Sequence, residues 1–314
     1  MKKCTIVATM VLLMGCLFSQ VAVAAPTEVG LKVNDSWVSC DTSTGAPYIN
    51  DSGRTMVPLR VVNDYLDYTT DWTSDGRIHI TGRDGAVDVT VQVGSTDYIA
   101  NGEAGQFGTA PLVREDGRTY LPVRDFGELY GSVYWDGIER FVWLSDSPTP
   151  AYQIIRDQLL RATKDAIEPV AMPEDWELYG GAAGDSVSKV TALDGKNYVL
   201  ISRHQNVSYQ MPLFRDDGAF MTYVVTMNGT SSFAVLGDTI YHTMGTSDAT
   251  MTGYIVPERL YATPIGNDDA TVSYTLDFAI NECDLSIEEG KLIATAPDGT
   301  RHTADFSTLM PDAE

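Results

Sequence analysis

The residues able to do chemistry in this chain are few and far apart. Ser186-Val187-Ser188-Lys189 has the S-x-x-K spacing in which a lysine assists a serine nucleophile at a helix start, but it precedes a strand and lacks the accompanying S-D-N and K-T-G elements. Glu174, Asp175 and Glu177, close to Trp176 and Tyr179, form the acid cluster from which a hydrolytic carboxylate pair could be drawn, although a solvated loop with an anchoring aromatic explains it more simply. Asp71 to Gly76 reads D-W-T-S-D-G and imitates the start of a calcium loop. Thr73 stands at the third position, however, and Gly82 where the bidentate glutamate belongs, so the segment is read as a hairpin turn. His79, His204, His242 and His302 are scattered singly, and there is no G-x-S-x-G elbow, H-E-x-x-H helix or phosphate-cradling glycine loop. No catalytic residue, metal ligand or cofactor is assigned.

What the sequence does specify is a repeated architectural unit. GRTMVPLR at Gly53 to Arg60 returns as GRTYLPVR at Gly117 to Arg124, and each copy runs on to a tryptophan, Trp72 or Trp135. Such copies usually bury their apolar faces against one another in one core. Gly53 and Gly117 end turns, where the lack of a Cβ makes positive φ cheap. Pro58 and Pro122 suit the first turn of a helix, where a missing N–H has no partner to lose. Leu59, Val62 and Leu66 in one copy, and Val123, Phe126 and Tyr130 in the other, give a single buried stripe. Arg60 and Arg124 could grip an anion, but Asp64 and Glu128 lie four residues on, and a structural ion pair is the simpler role. Trp72 and Trp135 then open hairpins, with Ile78-His79-Ile80 and Phe141-Val142-Trp143 as the returning strands. Between the copies, Val87, Val89, Val91 and Val93 alternate with polar residues, the period of a strand with one wet face.

These residues carry a resemblance. GRTMVPLRVVNDYLDYTTDW, the YIANGE turn and GRTYLPVRDFGELYGSVYW are similar to the bacterial copper amine oxidase N-terminal-like domain, or stalk domain, over residues 30–146. The resemblance implies a non-catalytic module found in secreted bacterial proteins, often at the cell surface. It implies no amine oxidase activity. That activity needs a tyrosine in an Asn-Tyr-acid motif and three copper-binding histidines, whereas Asn197-Tyr198 is followed by Val199 and the histidines stand apart.

The N-terminus adds an address. Lys2 and Lys3 precede an apolar run from Ile6 to Phe18, and Ala22-Val23-Ala24 offers small residues before a cleavage at Ala25, so residues 1–24 read as a signal peptide. A lipoprotein signal ending at Cys16 is the rival, disfavoured by Met14 and by Leu17-Phe18 directly after the cysteine. No later stretch approaches the ~20 apolar residues of a membrane helix, so an integral membrane protein is not expected. The net charge of −22 repels nucleic acid and disfavours polyanion binding by simple attraction, leaving a neutral glycan or a basic protein, such as one of the surface or cell wall, as a partner. Cleavage would leave Cys40 and Cys283, a possible disulfide in an oxidising compartment; two buried thiols are the alternative.

Residues 147–150, with Pro148 and Pro150, read as a stiff linker. Beyond it, residues 151–314 begin with a helix predicted from Tyr152 to Ile167, with Ile155, Leu159, Ala162 and Ala166 on one side. Turn dipeptides at Asp194-Gly195, Asp217-Gly218, Asn228-Gly229, Gly237-Asp238, Glu289-Gly290 and Asp298-Gly299 then mark successive hairpins. The expected fold is α+β: a duplicated helix-plus-hairpin unit with a mostly antiparallel sheet, then a β-rich antiparallel domain with one preceding helix. The expected function is a secreted or cell-surface, non-catalytic protein whose stalk-like domain mediates display or contacts with protein or cell wall. The alternative is an exported hydrolase of envelope polymers, with its site in residues 151–314.

Overall fold

The computed structural model describes residues 29–312, apart from 42, 84, 179–183, 204–209, 229–231 and 244–255. Residues 1–24, read above as a signal peptide, and Cys16, Tyr179 and His204 therefore lie outside the described residues. Among the described residues the chain is mostly β, in several antiparallel sheets, with two α-helices of eight residues.

In the first domain, β1 (Gly30–Val33) and β2 (Ser36–Trp37) form a hairpin, and β3 (Tyr48–Ile49) and β4 (Thr55–Pro58) lead into α1 (Leu59–Leu66). Next come β5 (Thr69–Trp72), β6 (Arg77–Thr81), β7 (Asp88–Gln92), β8 (Asp97–Ala100) and β9 (Glu103–Gln106), an antiparallel meander of five strands. Then β10 (Leu112–Val113) and β11 (Thr119–Pro122) lead into α2 (Val123–Tyr130), and β12 (Ser132–Asp136) and β13 (Phe141–Ser145) follow. β4 and β11 lie side by side and antiparallel, with Val57 opposite Leu121. The sheet ordered β12-β13-β1-β2 contains one parallel pair, β1 with β13.

Each helix starts one residue after its proline. Pro58 and Pro122 end their strands and serve as helix N-caps at φ −70° and −69°, the value the pyrrolidine ring imposes. The stripe Leu59, Val62 and Leu66 is fully buried, as is Val123, Phe126 and Tyr130, and both join one core with Ile80 and Val89 of the meander and Leu144 of β13. α2 ends at Gly131, where the end of β13 passes close by: a Cβ on Gly131 would lie 2.1 Å from the carbonyl oxygen of Ser145.

The segment from Tyr152 to Ile167 is not the expected helix. It is a hairpin, β14 (Ala151–Ile155) with β15 (Gln158–Ala162), continued by β16 (Ile167–Pro169) at the sheet edge. Arg156 turns it at φ 54°. The misleading spacing has a physical cause, since this sheet is covered on both faces and therefore does not alternate apolar with polar. Ala151, Ile155, Leu160 and Ala162 meet Phe141 and Trp143 of the first domain, while Tyr152, Ile154 and Leu159 face the next sheet. Ile155 and Leu159, which a helix would put on one stripe, point to opposite sides.

The remaining sheets follow the same plan in chain order. β17 (Ser186–Leu193), β18 (Lys196–Ser202), β19 (Gln210–Asp216) and β20 (Met221–Asn228) form one meander; β21 (Phe233–Leu236), β22 (Thr239–His242), β23 (Arg259–Pro264) and β24 (Val272–Thr275) form the next; and β25 (Asp284–Glu288), β26 (Lys291–Thr295) and β27 (Arg301–Ala304) the last. Consecutive sheets share a core. In β18, Val199 and Ile201 face the β14–β16 sheet, while Tyr198 and Leu200 face the β21–β24 sheet. Cys283 lies in the last of these cores and Cys40 against the first-domain core; both are free thiols, so the possible disulfide is not formed.

The start of the 147–150 segment is tied down on both sides. Asp146 accepts hydrogen bonds from Asn34 Nδ2 at 2.8 Å and Tyr68 Oη at 2.9 Å, and the Ser147 carbonyl accepts the Lys164 N–H at 2.8 Å. Across the junction, the buried Lys32 ammonium donates to Gln153 Oε1 at 2.9 Å and sits 4.6 Å from the centre of the Trp143 ring. Burial lowers its pKa, against the attraction of Asp35. Asp136, whose side chain is fully enclosed, receives Arg156 Nη2 at 2.9 Å and the N–H groups of Ile138 and Glu139.

Candidate functional site

The repeated residues converge on two grooves, one on either side of the β4–β11 pair. Gly53 and Gly117 each occupy positive φ, at 73° and 76°, which lets the turn fold back before the strand begins. Each strand then carries its Arg-Thr pair towards the helix start of the other copy. One groove, of about 200 Å³, is lined by Pro58, Arg60, Asp64 and Trp72 from the first copy and by Gly117, Arg118 and Thr119 from the second. The other, of about 240 Å³, is lined by Pro122, Arg124 and Trp135 from the second copy and by Gly53, Arg54 and Thr55 from the first. All eight repeat residues singled out in the sequence thus reach a groove.

The ion pairs expected along the helices are not made. Among the described residues, neither Arg60 with Asp64 nor Arg124 with Glu128 forms a salt bridge, and the side chains of Arg54, Arg60 and Arg124 have no hydrogen-bond or ionic partner. The basic-first order explains this in part, because it is the weaker orientation for an i,i+4 pair. Arg118 is anchored instead: it donates to Asp116 Oδ2 at 3.0 Å and to the Ser43 carbonyl at 2.6 Å. The Arg118 backbone N–H and guanidinium hold the Asp116 carboxyl below its ordinary range despite some burial. Asp125, the acid lining the second groove, already accepts the Gly108 N–H at 2.7 Å. Trp72 is 44% exposed and Trp135 half-buried, so both indoles present surface to solvent. Arg54 and Arg118 were not candidates from sequence, although their recurrence within GRT was the signal available.

Ser186 to Lys189 lies within the strand β17, so the lysine and serine are not disposed around a helix start. Glu174, Asp175 and Glu177 are exposed, and Trp176 packs against Phe214 and stacks on Tyr223 at 5.1 Å. The buried carboxylate nearest a catalytic arrangement is Asp216. It accepts Tyr152 Oη at 2.6 Å, Arg161 Nη1 at 3.0 Å and the Gly218 N–H at 2.8 Å, while Arg161 also holds Glu168 at 2.7 Å. Burial and the bond to Asp216 push the Tyr152 phenol up. This network is saturated, and it ties the β14–β16 sheet to the hairpin end of β19. Among the described residues, every carboxyl whose pKa is displaced is displaced downward, as at Asp136 and Asp217, whereas a general acid needs the opposite shift. Asp71 and Trp72 end β5 and Thr73 to Gly76 form the β5–β6 turn, with Thr73 Oγ1 donating to Asp75 at 2.5 Å. His79 pairs with Asp88, His242 is buried against Thr263, and His302 stacks on Phe278. No group of three or more metal-ligating side chains assembles among the described residues.

Comparison with known proteins agrees with the first-domain resemblance. Residues 32–144 match the copper amine oxidase N-terminal domain family. No curated protein matches the chain. Among solved structures, the chain is similar to PorZ of Porphyromonas gingivalis, a surface component of the type-IX secretion system, at 8% identity and TM-score 0.28, covering 79% of this chain and 31% of PorZ. It therefore spans about a third of that protein. It is also similar to BamB from Moraxella catarrhalis at 11% identity and TM-score 0.31, covering 82% and 88% of the two chains, and to regucalcin, a calcium-binding protein from Agrobacterium tumefaciens, at 10% identity and TM-score 0.30, covering 75% and 72%. Scores at this level do not assign a fold to the second half. Among the described residues, no helix is long and apolar enough to cross a membrane.

Proposed function

We propose that this is a secreted or cell-surface, non-catalytic protein in which a stalk-like domain, built from one helix-plus-hairpin unit used twice, carries a β-rich second half and makes contacts with protein or cell wall. Residues 1–24 act as the export signal, with cleavage after Ala24. The observation that carries this reading is the pair of solvent-facing grooves built from repeat residues, in a chain whose buried Asp216 and Asp136 are occupied with structural bonds. The element order supports the repeated unit: strand, helix and two strands in β4-α1-β5-β6, and again in β11-α2-β12-β13. The shared core of Phe141 and Trp143 with Ile155 and Leu160 supports joint presentation of both parts, since it leaves no loose hinge between them.

The test is expression of the full chain in a bacterial host, followed by fractionation and intact mass of the exported product. The expected product begins at Ala25 and lies outside the cytoplasm. Retention inside with the N-terminus intact would overturn the address. Cleavage of purified wall glycan or peptide by the wild-type protein would overturn the non-catalytic reading.

A further inference from the structure

We infer that the two grooves are matched notches for carboxylated sugar residues of a glycan. This rests on the reading above of a surface module with one unit used twice, and adds the chemistry of what it contacts. Each groove combines two arginines, one acid and an indole: Arg60, Arg118 and Asp64 with the exposed Trp72 in one, Arg54, Arg124 and Asp125 with the half-buried Trp135 in the other. Arg118 is held by Asp116 and the Ser43 carbonyl, so Arg60 is the unengaged guanidinium of the first groove. A guanidinium is a planar fork that matches a carboxylate in two parallel hydrogen bonds. An indole face offers a flat apolar surface with a polar edge, the complement of the C–H face of a pyranose. Volumes of about 200 and 240 Å³ fall below the roughly 300–1,000 Å³ of pockets for drug-sized ligands, so each groove admits a single ring.

Charge sharpens the choice. In a chain of net charge −22, a groove in which Arg54 and Arg124 face one acid, itself bonded to Gly108, is a local cationic exception. Long-range repulsion works against densely charged polymers and favours a ligand with spaced carboxylates. An acidic peptide would satisfy the arginines but leave the indoles without a flat partner. Two notches of the same make also suit a polymer of repeating units better than a single peptide sequence.

The experiment titrates the intact mature protein with three small probes: methyl β-glucuronide, methyl β-glucoside and N-acetylglutamate amide. Calorimetry and the indole N–H resonances of Trp72 and Trp135 supply the readout. The expected result is saturable binding of the glucuronide at two sites per chain, at least tenfold tighter than the glucoside. Arg54→Gln with Arg124→Gln should abolish one site and Arg60→Gln the other, at unchanged melting temperature, because these side chains have no partner to lose; Arg118 is left in place to keep its contacts. Glucuronide binding no better than glucoside, tighter binding of N-acetylglutamate amide, or unchanged binding by the glutamine variants would overturn the inference. An exported chain that ignores glucuronide removes the notches alone, whereas a cytoplasmic chain that binds it removes the address alone.

Discussion

Val57 and Leu121 stand directly opposite each other in antiparallel register, each no more than 1% exposed, at the seam where the two repeat-bearing halves of the first domain meet. Because the strands that carry them also deliver Arg54-Thr55 and Arg118-Thr119 across to the opposite copy, the same seam holds the core together and builds the grooves.

That seam should behave as one cooperative unit. Leu121→Ala is expected to cost about 2–5 kcal/mol and Val57→Ala somewhat less, with the double mutant departing from additivity by about 0.5–3 kcal/mol because the two share a cavity. Urea midpoints of the four proteins measure this, and strict additivity would mean the halves fold without regard to each other.

Gly131 is required for lack of space rather than for a special φ. A methyl group there meets the Ser145 carbonyl oxygen at 2.1 Å, a backbone atom that cannot rotate away. Gly131→Ala should therefore destabilise by about 1–3 kcal/mol or more, the range for overpacking a closed site. The substitution Gly53→Ala meets nothing within 4 Å and should cost only what positive φ demands, so thermal melts of the two variants separate crowding from backbone strain.

The junction between the domains contains a buried cation with one close oxygen partner. Gln153→Leu removes the acceptor at 2.9 Å from Lys32 and leaves Asp35 at 3.6 Å, and a loss of about 1.5–3 kcal/mol is expected, as for a hydrogen bond to a charged group. Replacing both partners, with Lys32→Met added, should recover much of that loss, since apolar replacement of a buried polar pair is often tolerated. Denaturant unfolding of the single and double variants provides the comparison.

Acid should loosen the β21–β24 sheet through His242. Burial, opposed by a backbone bond near Thr243 and by Asp268, holds this imidazole down to about 4 from an ordinary 6.5. Between those values the unfolded chain takes up a proton that the native state refuses, so this stability contribution is complete above pH 6.5 and falls as pH drops towards 4. The loss is on the order of 3 kcal/mol at most, and His242→Phe should flatten it in urea titrations at pH 7 and 4.5. An equally steep loss in the variant would assign the acid sensitivity elsewhere.

Where local rules sufficed, the amino-acid sequence determined the outcome. The stripes Leu59, Val62, Leu66 and Val123, Phe126, Tyr130 had to be the inner faces of helices begun by proline. Asp194-Gly195, Gly237-Asp238 and Glu289-Gly290 turn hairpins, each with its glycine at the positive φ that a residue without a Cβ takes cheaply. Tertiary structure decided matters that depend on what covers a face. The sheet from Ala151 to Pro169 is apolar on both sides, so its sequence carries no period-two signal and imitates a helix until Trp143 and Val199 are seen on opposite faces. In the same way, Arg60 and Arg124 had acids four residues away in sequence, yet each shares its groove with an arginine of the other copy. Spacing along a chain cannot reveal that meeting, which exists only because β4 and β11 pair.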